Sequence, residues 1–205
     1  MALSQKFVNK LKYYWMIRIA VLGDIGSGKS YFAKQLNIPL FNADAIVSKL
    51  YLTNKFLFSK LKKNFPKYVS SFPIQKNNLI EIIRTNPNNL KKIIKIVHPL
   101  VRKEMLNFLK KNKKQKAVVL DIPLFLENKL NLKNDLLVYI HADKNKILNK
   151  LKKRNNFNIK IFKLLKSLQL PLSQKKEMAD FVINNNFNSA KIKKEAKTLL
   201  NKILI

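Results

Sequence analysis

The eight residues GDIGSGKS, from Gly23 to Ser30, match the pattern GxxxxGK[ST] and contain all three glycines of the chain. Glycines at this spacing let a loop adopt positive φ and turn successive backbone N–H groups toward one anion. A helix starting near Lys29 would bring its positive end to the same point. The Lys29 ammonium would then bridge the β- and γ-phosphates, and the Ser30 hydroxyl would take one position on Mg²⁺. That chemistry specifies a nucleoside triphosphate. A glycine-rich turn with no ligand would leave the lysine against the loop without a counter-charge. The loop does not say which acceptor receives the phosphate.

Only 11 of the 205 residues are acidic, so an acid at a strand end is informative. Asp44 follows PLFN, and in an open parallel sheet that strand end shares an edge with the phosphate loop. A carboxylate there can take the proton of an attacking hydroxyl. Asp is equally a favoured N-cap, and the spacing leaves both readings open: general base, or cap of the helix AIVSKLY. Asp121 ends AVVLD, where a carboxylate can orient Mg²⁺ through water. Pro123 stops that strand, and Glu127 could bind a substrate group or pair with a lysine. His98 and Pro99 are expected to begin the helix VRKEMLNFLKK, where a lone histidine is more often a cap or packing residue than a ligand contact. Arg154, near the end of KILNKLKKR, could reach over the triphosphate when a lid closes.

These groups need a scaffold that brings distant strand ends together. Apolar runs of strand length alternate with helical patterns, as in parallel strands joined by crossover helices. The expected strands are Ile17 to Leu22, Pro39 to Asn42, Ala117 to Asp121, Leu136 to Ala142 and Asp180 to Asn184. About Ala45 to Lys116 has helical spacing and is too long for one crossover, which predicts a helical insert. A second helical stretch runs from Lys144 to Leu168, and AKIKKEAKTLLNKILI is an amphipathic closing helix.

Composition narrows the classes further. With 47% hydrophobic residues the chain is too apolar to read as disordered, and its length suits one domain. No cysteine is present and the histidines are His98 and His141, which excludes a disulfide scaffold, a thiolate zinc site and a histidine-rich metal site. A reducing cytoplasm fits. The formal charge of +31 suggests nucleic acid at first. The cations are nearly all lysines scattered through every segment, however, with four arginines (Arg18, Arg84, Arg102, Arg154), so a bias of composition is the better reading than a binding stripe. No run of 18 apolar residues suggests a membrane span. Arg18 interrupts the apolar stretch near the start, which argues against a cleaved signal peptide.

Taken in order, GDIGSGKS, NADAI (Asn42 to Ile46), HPLVR (His98 to Arg102), LDIPLFLE (Leu120 to Glu127) and QLPLSQKKEMADFVINN (Gln169 to Asn185) resemble the dephospho-CoA kinase family. The resemblance implies an α/β, three-layer P-loop NTPase fold with a five-stranded parallel sheet, a helical substrate-binding insert and a helical lid. It implies ATP-dependent phosphorylation of the ribose 3′-hydroxyl of dephospho-CoA, with Mg²⁺. A monomer with no membrane partner and no dedicated nucleic-acid surface is expected. Residues 1–15 lie outside it, 16–205 form the kinase domain, the insert is about 45–116 and the lid about 155–172.

The resemblance implies catalytic roles for Asp44, Lys29 and Arg154, with Asp44 as the base. It implies ATP binding by Gly23, Asp24, Ile25, Gly26, Ser27, Gly28, Lys29, Ser30 and Tyr31. Asp44, His98, Arg102, Pro123, Leu124 and Glu127 would bind the acceptor, and Ser30 and Asp121 the metal. The sequence departs from the family pattern at Leu22, often Thr, and at Asp24, usually a small residue, where an acid would repel phosphates unless it points into solvent. Further departures are Asn42 for an acid, Lys150 for an arginine and Phe187 for a glycine. The rival reading is a basic nucleic-acid-binding ATPase or another small-molecule kinase. Lys29→Ala is expected to cut turnover by several orders of magnitude in an ADP-release assay, because phosphoryl transfer depends on positioning and charge stabilisation.

Overall fold

The computed structural model describes residues 16–153 and 157–204. The five apolar runs form β1 (Ile17–Gly23), β2 (Leu40–Asn42), β3 (Ala117–Asp121), β4 (Leu136–His141) and β5 (Phe181–Asn184), all parallel in the order β2-β3-β1-β4-β5. Each strand lies within about a residue of its expected bounds. Among the described residues the helices are α1 (Lys29–Gln35), α2 (Ala43–Thr53), α3 (Lys55–Asn64), α4 (Lys76–Thr85), α5 (Asn89–Lys111), α6 (Lys144–Lys152), α7 (Ile159–Ser167), α8 (Leu172–Glu177) and α9 (Ser189–Ile203).

Strand side chains alternate between two faces, and both faces are covered, which is why the strands read as unbroken apolar runs. Ile19 and Val21 of β1 join Phe32 and Ala33 of α1, Leu36 just after it, and Ile192, Ala196 and Leu199 of α9 in one core. Ala20 and Leu22 face the opposite way, into a second core with Leu50, Leu57, Leu61, Ile82, Val97 and Met105 from α2 to α5. The departure at Leu22 is therefore met by apolar packing, since its side chain is buried within that core.

The expectation that His98 and Pro99 begin a helix is corrected. Both lie in the middle of α5, a 23-residue helix with Pro99 inside it. An interior proline removes one hydrogen bond and costs roughly 3 kcal/mol. Leu90, Ile93, Val97, Val101 and Met105 form a continuous buried stripe on the same helix, and their burial keeps it in one piece. No helix of the described residues is long and apolar enough to cross a membrane.

Arg18 and Asp135 fix the entry of β4 beside β1. The guanidinium meets both carboxylate oxygens, Nε at 2.9 Å from Oδ1 and the terminal nitrogen donating to Oδ2 at 3.0 Å. The same terminal nitrogen donates to the Leu130 carbonyl, and Asp135 also accepts from the Leu132 N–H. Asp135 is buried, so removing one partner strands the other charge. Arg18→Met is expected to cost about 3 to 5 kcal/mol of stability. A thermal melt would read the loss, while KM values measured on the folded fraction should not move.

Candidate active site

Gly23 closes β1 with φ at 144°, and a Cβ there would sit 2.6 Å from the Ile140 carbonyl oxygen. Gly28, at φ 94°, is the N-cap of α1, and a Cβ on it would run into the Asn185 side-chain amide. Both positions need glycine for space as well as for backbone conformation. Asn185 is buried and spans the gap: its Nδ2 donates to the Ser27 carbonyl at 2.8 Å, and its Oδ1 accepts from the Phe187 N–H. The loop is thus held open from the β5 side.

Lys29 is the first residue of α1 and its ammonium folds back under the loop, donating to the carbonyls of Asp24 at 2.7 Å and Gly23 at 3.3 Å. Burial pushes its pKa below the ordinary lysine value; the Asp121 carboxylate opposes that shift, the Lys175 ammonium adds to it, and Asp24 and Asp44 oppose it further. Ser30 and Tyr31 follow on the exposed side of the helix start.

Asp24 does not point into solvent. It is 4% exposed, with Oδ1 accepting from the Ile25 N–H at 2.8 Å and Oδ2 accepting from the Lys166 ammonium at 3.0 Å. An acid in this loop is tolerated because a cation from α7 is brought to it.

The register of β2 on β3 sets Asn42 beside Asp121, and the Asn42 Nδ2 donates to the Asp121 Oδ2 at 2.6 Å. The Asn42 Oδ1 accepts from the Ala45 N–H, so Asn42 is the N-cap of α2. That corrects the capping alternative for Asp44, which stands exposed in the first turn of the helix. Desolvation by the surrounding protein, and next the Asp121 carboxylate, push the Asp44 pKa above the ordinary value of 3.8, while Lys29 and Lys76 pull it down. Asp121 itself is buried. The Ser30 hydroxyl and the Asp121 and Asp44 carboxylates are hard oxygen donors at one sheet edge, a set that suits Mg²⁺ and its retained waters.

The structure brings Asp24, Asp44 and Asp121 within electrostatic reach of Lys29, and Asp44 within reach of Asp121. Glu127 takes the second of its two readings: its Oε1 lies 2.6 Å from the Lys175 ammonium and accepts from the Leu170 N–H at 2.9 Å. This carboxylate anchors the segment that joins α7 to α8. Pro123 is exposed, and Leu124 next to it has φ at 57°, a strained conformation for a branched side chain. His98 and Arg102 lie one turn apart on α5; burial, then Arg102, lowers the His98 pKa. Arg154 lies outside the described residues. The departures Lys150 and Phe187 meet, with the Lys150 ammonium 4.3 Å from the centre of the Phe187 ring, where Phe187 holds a φ of 67°.

Lys166, Lys175 and Asn185 were not among the sequence-derived site residues. Asp24 held a usable signal for the first of them, since a buried acid in a phosphate loop requires a cation.

Two solved structures share this architecture. TT1252 from Thermus thermophilus aligns with a TM-score of 0.72 at 24% identity, covering 91% of this chain and 97% of that one. The dephospho-CoA kinase from Campylobacter jejuni aligns with a TM-score of 0.64 at 24% identity, covering 92% and 98%. A phosphate-binding loop after the central strand of a parallel sheet, with acids at the ends of the neighbouring strand β3 and of the edge strand β2 beyond it, defines a P-loop kinase. The family model for dephospho-CoA kinase matches residues 17–191, and the dephospho-CoA kinase of Wolbachia sp. subsp. Brugia malayi is 32% identical over 190 residues, 90% of this chain and 97% of that protein. The chain belongs to the dephospho-CoA kinase family, which catalyses the final step of coenzyme A synthesis.

Asp44→Asn is expected to lower turnover by roughly 10² to 10⁴ with MgATP still bound and little change in melting temperature. Because the Asp44 pKa is raised, kcat/KM should climb with pH through an acid limb above 3.8, as the carboxyl loses its proton and becomes able to accept one. Lys76→Ala, which removes a charge that favours the ionised form, should move that limb to higher pH.

Proposed function

We propose that the loop Gly23 to Tyr31 binds the triphosphate of ATP and that Asp44 accepts the proton of the ribose 3′-hydroxyl of dephospho-CoA. The hydroxyl oxygen forms the new bond to the γ-phosphorus, the bond to the β,γ-bridging oxygen breaks, and ADP leaves. One observation carries this reading: Lys29, Asp121 and Asp44, from three consecutive strand ends, act on one another at a single edge of the sheet. Bound Mg²⁺ would be held by Ser30 and Asp121 and would offset charge on the phosphates.

Each residue then has a task set by its surroundings. The Lys29 ammonium, partly buried and already held by the Gly23 and Asp24 carbonyls, is positioned to meet the β- and γ-oxygens. Asp44 has a raised pKa, which makes its carboxylate a better proton acceptor than that of an ordinary aspartate. His98, Arg102, Pro123 and Leu124 would border the acceptor, and Glu127 acts through Lys175 and Leu170 by holding the lid base. The lid, about 155–172, keeps water from the γ-phosphate and so favours transfer over hydrolysis. A chain without cysteine is suited to the reducing cytoplasm where such a reaction would run.

The reading as a basic nucleic-acid-binding ATPase is not favoured by the family assignment. A coupled ADP-release assay separates the two. ADP should form from MgATP at a rate that depends on dephospho-CoA, with slow release when the acceptor is omitted and no stimulation by DNA or RNA. Release that ignores dephospho-CoA and rises with nucleic acid would overturn the assignment of substrate.

A further inference from the structure

An acid inside the phosphate loop requires an account of its own. Asp24 is 4% exposed, so water screens it poorly, and its charge opposes any triphosphate entering beside it. The Lys29 ammonium bonds the backbone carbonyl of Asp24, leaving the carboxylate to other partners. One oxygen accepts from the Ile25 N–H, and the other accepts from Lys166, 142 residues further along the chain, at 3.0 Å. Lys166 stands in the last turn of α7, and its side chain is 41% exposed, so it reaches Asp24 from the open side of the cleft. Lys144 and Lys176 line the small cavity that Asp24 shares with Tyr139, but the ion pair to Asp24 is made by Lys166.

We propose that Lys166 is a positioning residue for the triphosphate: it cancels the charge of Asp24 and, through the same contact, holds α7 against the phosphate loop. The loop then presents its N–H groups and Lys29 to the nucleotide without a competing anion. With α7 displaced, the Asp24 charge is left uncompensated and opposes the ligand, so nucleotide affinity and lid position are linked through one contact. This inference rests on the reading of the loop as the MgATP site.

Its test is a double-mutant cycle between Lys166 and Asp24, read by calorimetric MgATP binding and by KM and kcat on the full chain. D24N removes the charge and keeps an oxygen for the Ile25 N–H. K166A is expected to weaken MgATP binding about tenfold when Asp24 is present, and more at low salt than at high salt. In the D24N background the same replacement should change binding by less than about twofold, because no charge is left to cancel. K166R should retain binding, and K166Q, of similar length without charge, should behave like K166A.

Equal losses in the two backgrounds, or an unchanged MgATP affinity for K166A and K166Q, would overturn the proposal while leaving the kinase assignment intact. A loss confined to melting temperature, with no salt dependence of KM, would also overturn it. Failure of the unmutated protein to bind MgATP would overturn the reading of the loop and this inference together.

Discussion

A partly buried ammonium group governs the C-terminal edge of this sheet. Lys29 is placed under the loop by the start of α1, its charge is met by two carbonyls, and three carboxylates act on it from a distance. Desolvating a cation is costly, and only an arrangement of this kind keeps it charged and aimed at one point. A bound triphosphate would complete the same set of interactions with a stronger partner.

The surrounding contacts follow from that requirement. Asn42 ties Asp121 to the start of α2, so the edge strand and the strand beside it present their polar ends in a fixed relation. Lys175 lies close enough to lower the Lys29 pKa, and its own charge is answered by Glu127. The cleft is therefore a small array of alternating charges, each balanced by a neighbour from a different part of the chain. The two cores beneath it, one with α1 and α9 and one with the insert, hold the strand ends at constant spacing.

The strands were legible because burial on both faces leaves near-continuous runs of Val, Ile and Leu, and the loop because glycine is so scarce elsewhere in the chain. Asp44 and Asp121 stood out for a related reason: acids are rare here. The extent of α5 was hidden by Pro99, a local signal to stop that the buried stripe from Leu90 to Met105 outweighs. The cap of α2 is Asn42 and not the alternative Asp44; Asn and Asp cap about equally well, so residue type alone left the choice open. Lys166 and Lys175 could not be distinguished by eye among so many lysines. What sets them apart is a carboxylate far away in sequence, and that is a property of the fold.

The Asn185 amide that supports the Ser27 carbonyl comes from a residue 158 positions later in the chain. On a ribosome, a nascent chain that has emerged only as far as β4 already carries the whole GDIGSGKS segment yet lacks the contact that holds its turn in shape. This support for the turn is therefore gained only when the last strand joins the sheet.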